Sequence, residues 1–320
     1  MIIYRELSSL EKDLGIPVKK LYTVSNSISK HYHSVSFPKK NGGVRKLSVP
    51  DNDLKYIQRR ISDVLLFDMP VSPYATAYRL CSSTVKNASQ HINKDWVIKL
   101  DIANFFDSIL YSTVKEKAFP IKKYSEKVRI LLAMLCYYKD SLPQGAPSSP
   151  AISNIILYSF DMRVGKWCQS KSISYTRYCD DLTFSGNGEI PDIIPFVSRE
   201  LFKEHFFINS QKTVIAKKHS RQSVTGLIVN KKVNIPSEYK RKIRQEIYYC
   251  RKFGVENHIK KADIKDTAAE YLNSLLGKVN YVLSVLPDNY DFVLYKRYLL
   301  EQINKTTNFS KNDSLEVPIN

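Results

Sequence analysis

Three aspartates stand where carboxylates can hold metal ions. Asp101 ends an apolar run, Trp96-Val97-Ile98-Lys99-Leu100, whose composition predicts a buried strand. Asp180 and Asp181 lie at the centre of residues 174–185, which alternate on both sides of Cys179-Asp180-Asp181 and predict a β-hairpin. A carboxylate at a strand end beside two more at a tight turn costs free energy through mutual repulsion, and a bound divalent cation removes that cost. Mg²⁺ takes one or two carboxylates together with substrate phosphates. Two such ions clamp the attacking and leaving oxygens of an in-line phosphoryl displacement. Read singly, Asp-Asp is a common turn dipeptide and Asp after a strand a common helix cap. The chemistry has to come from their company.

The elements around them mix helix and strand without a regular βαβ rhythm, which predicts an α+β core followed by a helical module. Residues 1–30 read as amphipathic helix broken at Gly15-Ile16-Pro17. Residues 35–50 read as a hairpin, with strand-like runs flanking Asn41-Gly42-Gly43. Leu54, Ile57, Ile61, Val64 and Leu65 fall on one helical face. Residues 125–138 read as helix, 143–150 as loop, 151–167 as one long helix and 195–205 as another. Residues 223–235 return to strands, and from Ser237 the chain is helical and tyrosine-rich, fraying after Thr306.

Composition narrows the class. The chain has 320 residues, of which 43% are hydrophobic, so it can bury a sizeable core and is not a disordered protein. With 49 Lys+Arg against 31 Asp+Glu it carries a net +18, a surplus that suggests an anionic partner such as nucleic acid. Much of that surplus is local. Residues 211–265 hold 15 Lys+Arg and 4 Asp+Glu, a net +11. The five cysteines, Cys81, Cys136, Cys168, Cys179 and Cys250, form no CxxC pair, which argues against a zinc site or disulfide framework and fits a reducing cytosol. No signal peptide is expected, and the longest apolar run, residues 130–138, is far short of the roughly 20 residues of a membrane span. The expectation is a cytoplasmic protein with no membrane partner.

Four ordered motifs resemble those of reverse transcriptases. They are Pro38-Lys39-Lys40-Asn41-Gly42-Gly43-Val44-Arg45, then Leu100-Asp101-Ile102-Ala103-Asn104-Phe105-Phe106, then Leu142-Pro143-Gln144-Gly145, then Tyr178-Cys179-Asp180-Asp181. The resemblance extends to Ile208-Asn209-Ser210-Gln211-Lys212-Thr213 and covers roughly residues 35–235. Two further stretches are similar to elements of retron reverse transcriptases: Asn87-Ala88-Ser89-Gln90-His91 to their NAxxH, and Val224-Thr225-Gly226 to their VTG. The compact length is also like theirs. The turn reads YCDD where most retron enzymes have YADD; a small residue is kept, so activity is expected to be tuned rather than lost.

The resemblance implies a right-hand polymerase: α+β, with fingers, a palm on a small antiparallel sheet, and a helical thumb. It divides the chain as 1–94 fingers, 95–115 first catalytic strand of the palm, 116–141 fingers and palm helices, 142–235 palm, and 236–320 thumb and tail. It makes Asp101, Asp180 and Asp181 the catalytic carboxylates, with the Ile102 carbonyl helping to hold two Mg²⁺ ions, for which Mn²⁺ can substitute. Lys40 and Arg45 would fold over the triphosphate of a dNTP. Phe106 would be the steric gate under its sugar, Gln144 a hydrogen-bonding partner and Lys212, read as following an amphipathic strand, the acid for the pyrophosphate leaving group. Tyr178, Thr225 and Gly226 would hold the primer terminus. Lys240, Arg244 and Arg251, on one helical face with Tyr248 and Tyr249 interleaved, would track a duplex backbone. Asn87 and His91 would serve a structural or RNA-anchoring role.

For partners, the resemblance implies a structured noncoding RNA acting as template and primer, its RNA–DNA product, dNTPs and a retron effector protein active in antiphage defence. Two other readings stay open: a reverse transcriptase of the group II intron or diversity-generating type, and an RNA-binding scaffold with a vestigial site. A noncoding inverted-repeat RNA encoded just upstream separates the first from a retron enzyme. Loss of DNA synthesis with retained RNA binding after Asp180→Asn plus Asp181→Asn separates the second.

Overall fold

Gly15 stops the first helix by adopting φ 66°, a left-handed conformation that glycine tolerates, and its N–H donates to the Glu11 carbonyl. In the computed structural model, which describes residues 3–38 and 42–312, with side chains to 306, this separates α1 (Leu7–Leu14) from α2 (Val18–Asn26). The predicted hairpin is β1 (Tyr32–Pro38) paired antiparallel with β2 (Val44–Pro50), Phe37 opposite Arg45. Its tip, with Lys39, Lys40 and Asn41, lies outside the described residues. Asp51 caps α3 (Asn52–Arg60) by accepting from the Leu54 N–H, and the helix runs on through a π turn at Ile61–Leu65. Leu54, Ile57, Ile61 and Leu65 are buried, as their spacing predicts.

A short α4 (Thr84–Ser89) leads to β3 (Trp96–Asp101), followed by a single turn α5 (Tyr111–Thr113) and the apolar α6 (Glu126–Cys136). The long helix expected over 151–167 is two helices, α7 (Ser149–Ile156) and α8 (Tyr158–Ser170), which break at Leu157. No glycine or proline marks that break. Then come β4 (Ser174–Tyr178), β5 (Asp181–Gly186), α9 (Ile193–Phe202) and β6 (Val214–Lys217).

These strands form one antiparallel sheet in the order β4-β5-β3-β6. The central strand is buried on both faces: Trp96, Val97, Ile98 and Leu100 are all within the core, which is why its apolar residues run together instead of alternating. The sheet and the helices packed on it share one hydrophobic core, within the first of two compact units that divide the chain after Ser220.

The second unit opens with β7 (Ser223–Val224) and β8 (Leu227–Ile228). Thr225 (φ 45°) and Gly226 (φ 82°) make the two-residue turn between them, where both positions need positive φ. The strands expected across 223–235 shrink to this hairpin and a bridge between Ile228 and Asn234. Four helices follow: α10 (Ser237–Phe253), α11 (Val255–Lys261), α12 (Ala268–Val285) and α13 (Tyr290–Asn312). A Thr267–Glu270 capping box starts α12, whose Leu272, Leu275, Val279 and Val282 are buried. No helix among the described residues is long and apolar enough to cross a membrane.

Of the two roles expected for Asn87 and His91, structural or RNA-anchoring, the fold supports the structural one. Both are fully buried, so neither can anchor RNA. The Thr76 hydroxyl donates to Asn87 Oδ1 at 2.8 Å. The two His91 ring nitrogens lie 2.7 Å from Ser185 Oγ on β5 and 2.8 Å from Thr176 Oγ1 on β4. A neutral imidazole donates through one nitrogen and accepts through the other, which suits two hydroxyls. His91 thus ties together β4 and β5.

Burial, and then the nearby Lys94 charge, push the His91 imidazole down to about 3 from its ordinary 6.5. As pH falls through 6.5 the unfolded chain takes up a proton that the folded chain refuses until about pH 3. This part of the stability is therefore complete above pH 6.5 and declines below it by about 1.4 kcal/mol per pH unit. From pH 6.5 to 5 the loss is about 2 kcal/mol. His91→Gln should flatten that part of the slope in urea unfolding at the two pH values; an unchanged slope would refute it.

Candidate active site

Register brings the carboxylates together. Asp101, the last residue of β3, pairs directly with Asp181, the first of β5, and Leu100 pairs with Leu182. Asp180 sits in the turn before Asp181, after Cys179, which adopts φ 60°. The backbone fastens this corner: the Ile102 N–H donates to the Asp180 carbonyl at 3.0 Å, and the Asn209 N–H to the Asp101 carbonyl at 2.7 Å. Asp101 and the Asp180–Asp181 pair, distant in the chain, are therefore held together by main-chain bonds, not by side-chain preference.

Their electrostatics fit a cation site. Desolvation raises the Asp180 carboxyl above the usual carboxylate range, and the Asp101 charge adds to this. Asp181 is exposed as a residue, yet desolvation by the protein around its carboxyl, then Asp180 and Asp101, push it up to about 6. The Lys212 ammonium donates to both oxygens of Asp101, at 2.8 and 3.0 Å, and these bonds raise the lysine above its usual range. A protein cation thus stands in where charge must be neutralised. Among the described residues no three His, Cys, Asp or Glu side chains converge tightly enough to cage an ion alone. An open set of hard oxygens suits a metal that completes its shell with water and substrate phosphate. Asp101 and Asp180, with Asp181 beside them, fit such an ion.

A cleft of about 760 Å³ opens over them. It gathers Arg45, Ile102, Phe106, Gln144, Tyr178 and Lys212 around the three aspartates. Arg45 is exposed on β2, while Lys40 lies outside the described residues. Phe105 is buried in the core, and Phe106, half-buried, meets it edge to face at 5.1 Å. The Phe106 carbonyl accepts from the Leu142 N–H, which draws the Pro143-Gln144-Gly145 loop to its side. Gly145 has φ 114°, and a Cβ there would stand 3.0 Å from the Ser48 carbonyl of β2. Only glycine lets that loop lie so close to the hairpin.

Other expected positions fall elsewhere. Lys212 does not follow a strand, as its surroundings suggest in sequence; it ends a 3-10 turn at Ser210–Lys212 and precedes β6. Thr225, Gly226, Lys240, Arg244 and Arg251 belong to the second unit. Lys240, which donates to Asn234 Oδ1, is lowered by desolvation and by the charges of Arg244 and Lys232. Arg244 lies over the Phe292 ring at 5.7 Å, and Arg251 over the Tyr295 and Tyr298 rings at 5.4 and 4.8 Å. The face that Arg244 and Arg251 share is therefore turned to α13. Arg241, Lys242 and Lys252 are exposed on the rest of α10.

Two residues that the sequence did not single out touch the turn at Cys179. Tyr78 (φ 58°) lines the cleft, and its hydroxyl donates to Cys179 Sγ at 3.4 Å. Nothing in its local sequence marks it. Arg177 reaches the Cys179 carbonyl at 3.1 Å. Its signal was there: Tyr175 and Arg177 share one side of an alternating strand, so an inward-facing arginine could have been read from the hairpin.

The chain matches the family described as reverse transcriptase (RNA-dependent DNA polymerase) over residues 37–234. It is 31% identical to the Retron Mx65 reverse transcriptase of Myxococcus xanthus, over 80% of this chain and 66% of that protein. It is 29% identical to the Retron Ec86 reverse transcriptase of Escherichia coli, over 81% of this chain and 82% of that one. With the Retron Ec83 reverse transcriptase of Escherichia coli the identity is 31%, over 80% and 84% of the two chains.

The crowding of carboxylates sets an expectation for the metal-free protein. Asp181→Asn should raise the melting temperature in EDTA by roughly 2–4 °C, because it removes one of three repelling charges. Lys212→Met should lower it, because it removes the one ammonium bound to Asp101. Opposite shifts in a fluorescence melt would show that the carboxylates are not mutually strained.

Proposed function

The chain belongs to the reverse transcriptase family, as one of its retron members and an RNA-directed DNA polymerase, and from that premise we propose that it copies part of its own structured noncoding RNA into single-stranded DNA. The observation that carries the catalytic part of this reading is the pairing of Asp101 with Asp181, beside Asp180, in a cleft with Arg45, Phe106 and Gln144. Priming from a 2′-OH of that same RNA, and a place in antiphage defence with an effector protein, complete the proposal on the ground of the family.

Asp101 and Asp180 would hold two Mg²⁺ ions, or Mn²⁺ in their place, with the Ile102 carbonyl and Asp181 beside them. The ions, when bound, neutralise the triphosphate and make the priming hydroxyl a better nucleophile. The rest is work for this chain's own groups. Arg45 offers a bidentate fork to the phosphates, with Lys40 at the same tip as a point charge. Phe106 presents its ring where a 2′-OH would clash, and Gln144 hydrogen-bonds the nucleotide or the template sugar. Lys212 releases Asp101 and gives its proton to the pyrophosphate oxygen. Tyr178, Thr225 and Gly226 hold the primer end. On α10, duplex tracking falls to Lys240 and to Arg244 and Arg251, which stay exposed while they lie over the rings of α13, with Arg241, Lys242 and Lys252 exposed beside them.

Purifying the protein with its nucleic acid and sequencing that material tests the retron reading. A single structured RNA, joined covalently to DNA, is expected; random cellular RNA alone would count against it. Asp180→Asn plus Asp181→Asn should abolish DNA synthesis and leave RNA binding intact, whereas a scaffold with a vestigial site would lose nothing. Phe106→Ala should let ribonucleotides compete with deoxynucleotides in primer extension; unchanged sugar discrimination would remove Phe106 from the gate.

A further inference from the structure

Behind the catalytic turn lies a fully buried ion pair. Arg177 on β4 and Asp161 on α8 are both 0% exposed. Arg177 Nε donates to the two Asp161 oxygens at 2.9 and 3.1 Å, and Nη2 donates to Oδ2 at 2.7 Å. The Tyr175 hydroxyl donates to the same carboxylate at 2.8 Å. That leaves Nη1, which donates to Asn154 Oδ1 on α7 and to the Cys179 carbonyl, each at 3.1 Å. Asn154 in turn donates to the Ala77 carbonyl at 3.0 Å. The Arg177 backbone also bonds the Tyr74 carbonyl and the Thr76 N–H, each at 2.8 Å. One residue, through its side chain and its backbone, thus connects two helices, the 74–77 segment and the turn that carries Asp180.

Such a pair is a poor source of stability. Burying both charges costs about as much as their attraction returns, and apolar replacements of equal volume are often as stable or more so. Its geometry explains it better. Cys179 holds φ 60°, a conformation that non-glycine residues adopt only under constraint from their surroundings. Its carbonyl begins the peptide that continues into Asp180. A guanidinium provides donors in a rigid planar fork, so fixing Nε and Nη2 on Asp161 fixes Nη1 in space.

We propose that Arg177 is a positioning residue for DNA synthesis: clamped by Asp161, it sets the place of the catalytic turn by holding the Cys179 carbonyl. Arginine is required, since one lysine ammonium cannot reach Asp161, Asn154 and Cys179 together. The role rests on Asp180 being a metal-binding carboxylate, and the two assignments fail separately. Full synthesis by Asp180→Asn would remove the assignment of Asp180. An inactive Asp180→Asn beside an unimpaired Arg177→Lys would remove only that of Arg177.

Two variants test it. Arg177→Lys keeps the charge opposite Asp161 but loses the fork. Arg177→Met with Asp161→Leu removes both charges and fills the space. In each, kcat for primer extension should fall between about tenfold and a hundredfold, the scale set by a small misplacement of reacting groups. The KM for dNTP and the affinity for RNA should stay near wild type. In the metal-free protein, hydrogen exchange should quicken in the segment 178–182 and at the Ile102 amide, which donates to the Asp180 carbonyl, with no matching change in α6 or α12. A folded variant of either kind with wild-type kcat would overturn the proposal. So would a loss of activity that follows the folded fraction alone, with exchange raised evenly through the first unit. Either variant, once folded, is enough to decide.

Discussion

The registered pairing of β3 with β5 is the constraint on which the rest of the structure depends. It sets Asp101 opposite Asp181, and like charges directly across a strand pair are destabilising. The arrangement holds because the neighbouring pairs on the same two strands, Ile98 with Phe184 and Leu100 with Leu182, are buried apolar contacts. A slip of one residue would turn every side chain of β5 to the opposite face, putting Leu182 and Phe184 where the buried Thr183 and Ser185 make their contacts. The core thus enforces a contact that the carboxylates would themselves avoid. A bound divalent ion would relieve that repulsion.

What could be read from the sequence follows the range of the interactions. The strand ending at Asp101, the 174–185 hairpin and the α3 face were legible because a two- or 3.6-residue period is a local property. The site's backbone followed from motif order, with its three aspartates, Phe106 and Gln144 gathered in one cleft. Contacts made across the chain were not legible. Lys212 reaches Asp101 over 111 positions, and His91 reaches Ser185 over 94. A histidine at the end of a polar segment looks like a surface residue until a sheet closes around it. Arg244 and Arg251 were read as one basic face, which they are; that the face meets the aromatic rings of α13 depends on packing that no spacing encodes.

The same distinction separates the basic residues by what they can do. The net +18 suggested an anionic partner, yet cations near the catalytic turn are not equivalent. Arg177 is buried and bonded on every side, so its position is fixed and its charge is matched by Asp161. Lys212 is 61% exposed and bound only at the mouth of the cleft. Its partner Asp101 is buried, so the ammonium leaves at little cost only when another cation takes its place on that carboxylate. A fixed guanidinium can position a turn but cannot deliver a proton. A loosely held ammonium can be displaced from a carboxylate and still remain within reach of the phosphates that displace it. The chemistry assigned to the cleft needs both kinds, and burial distinguishes them where residue type alone does not.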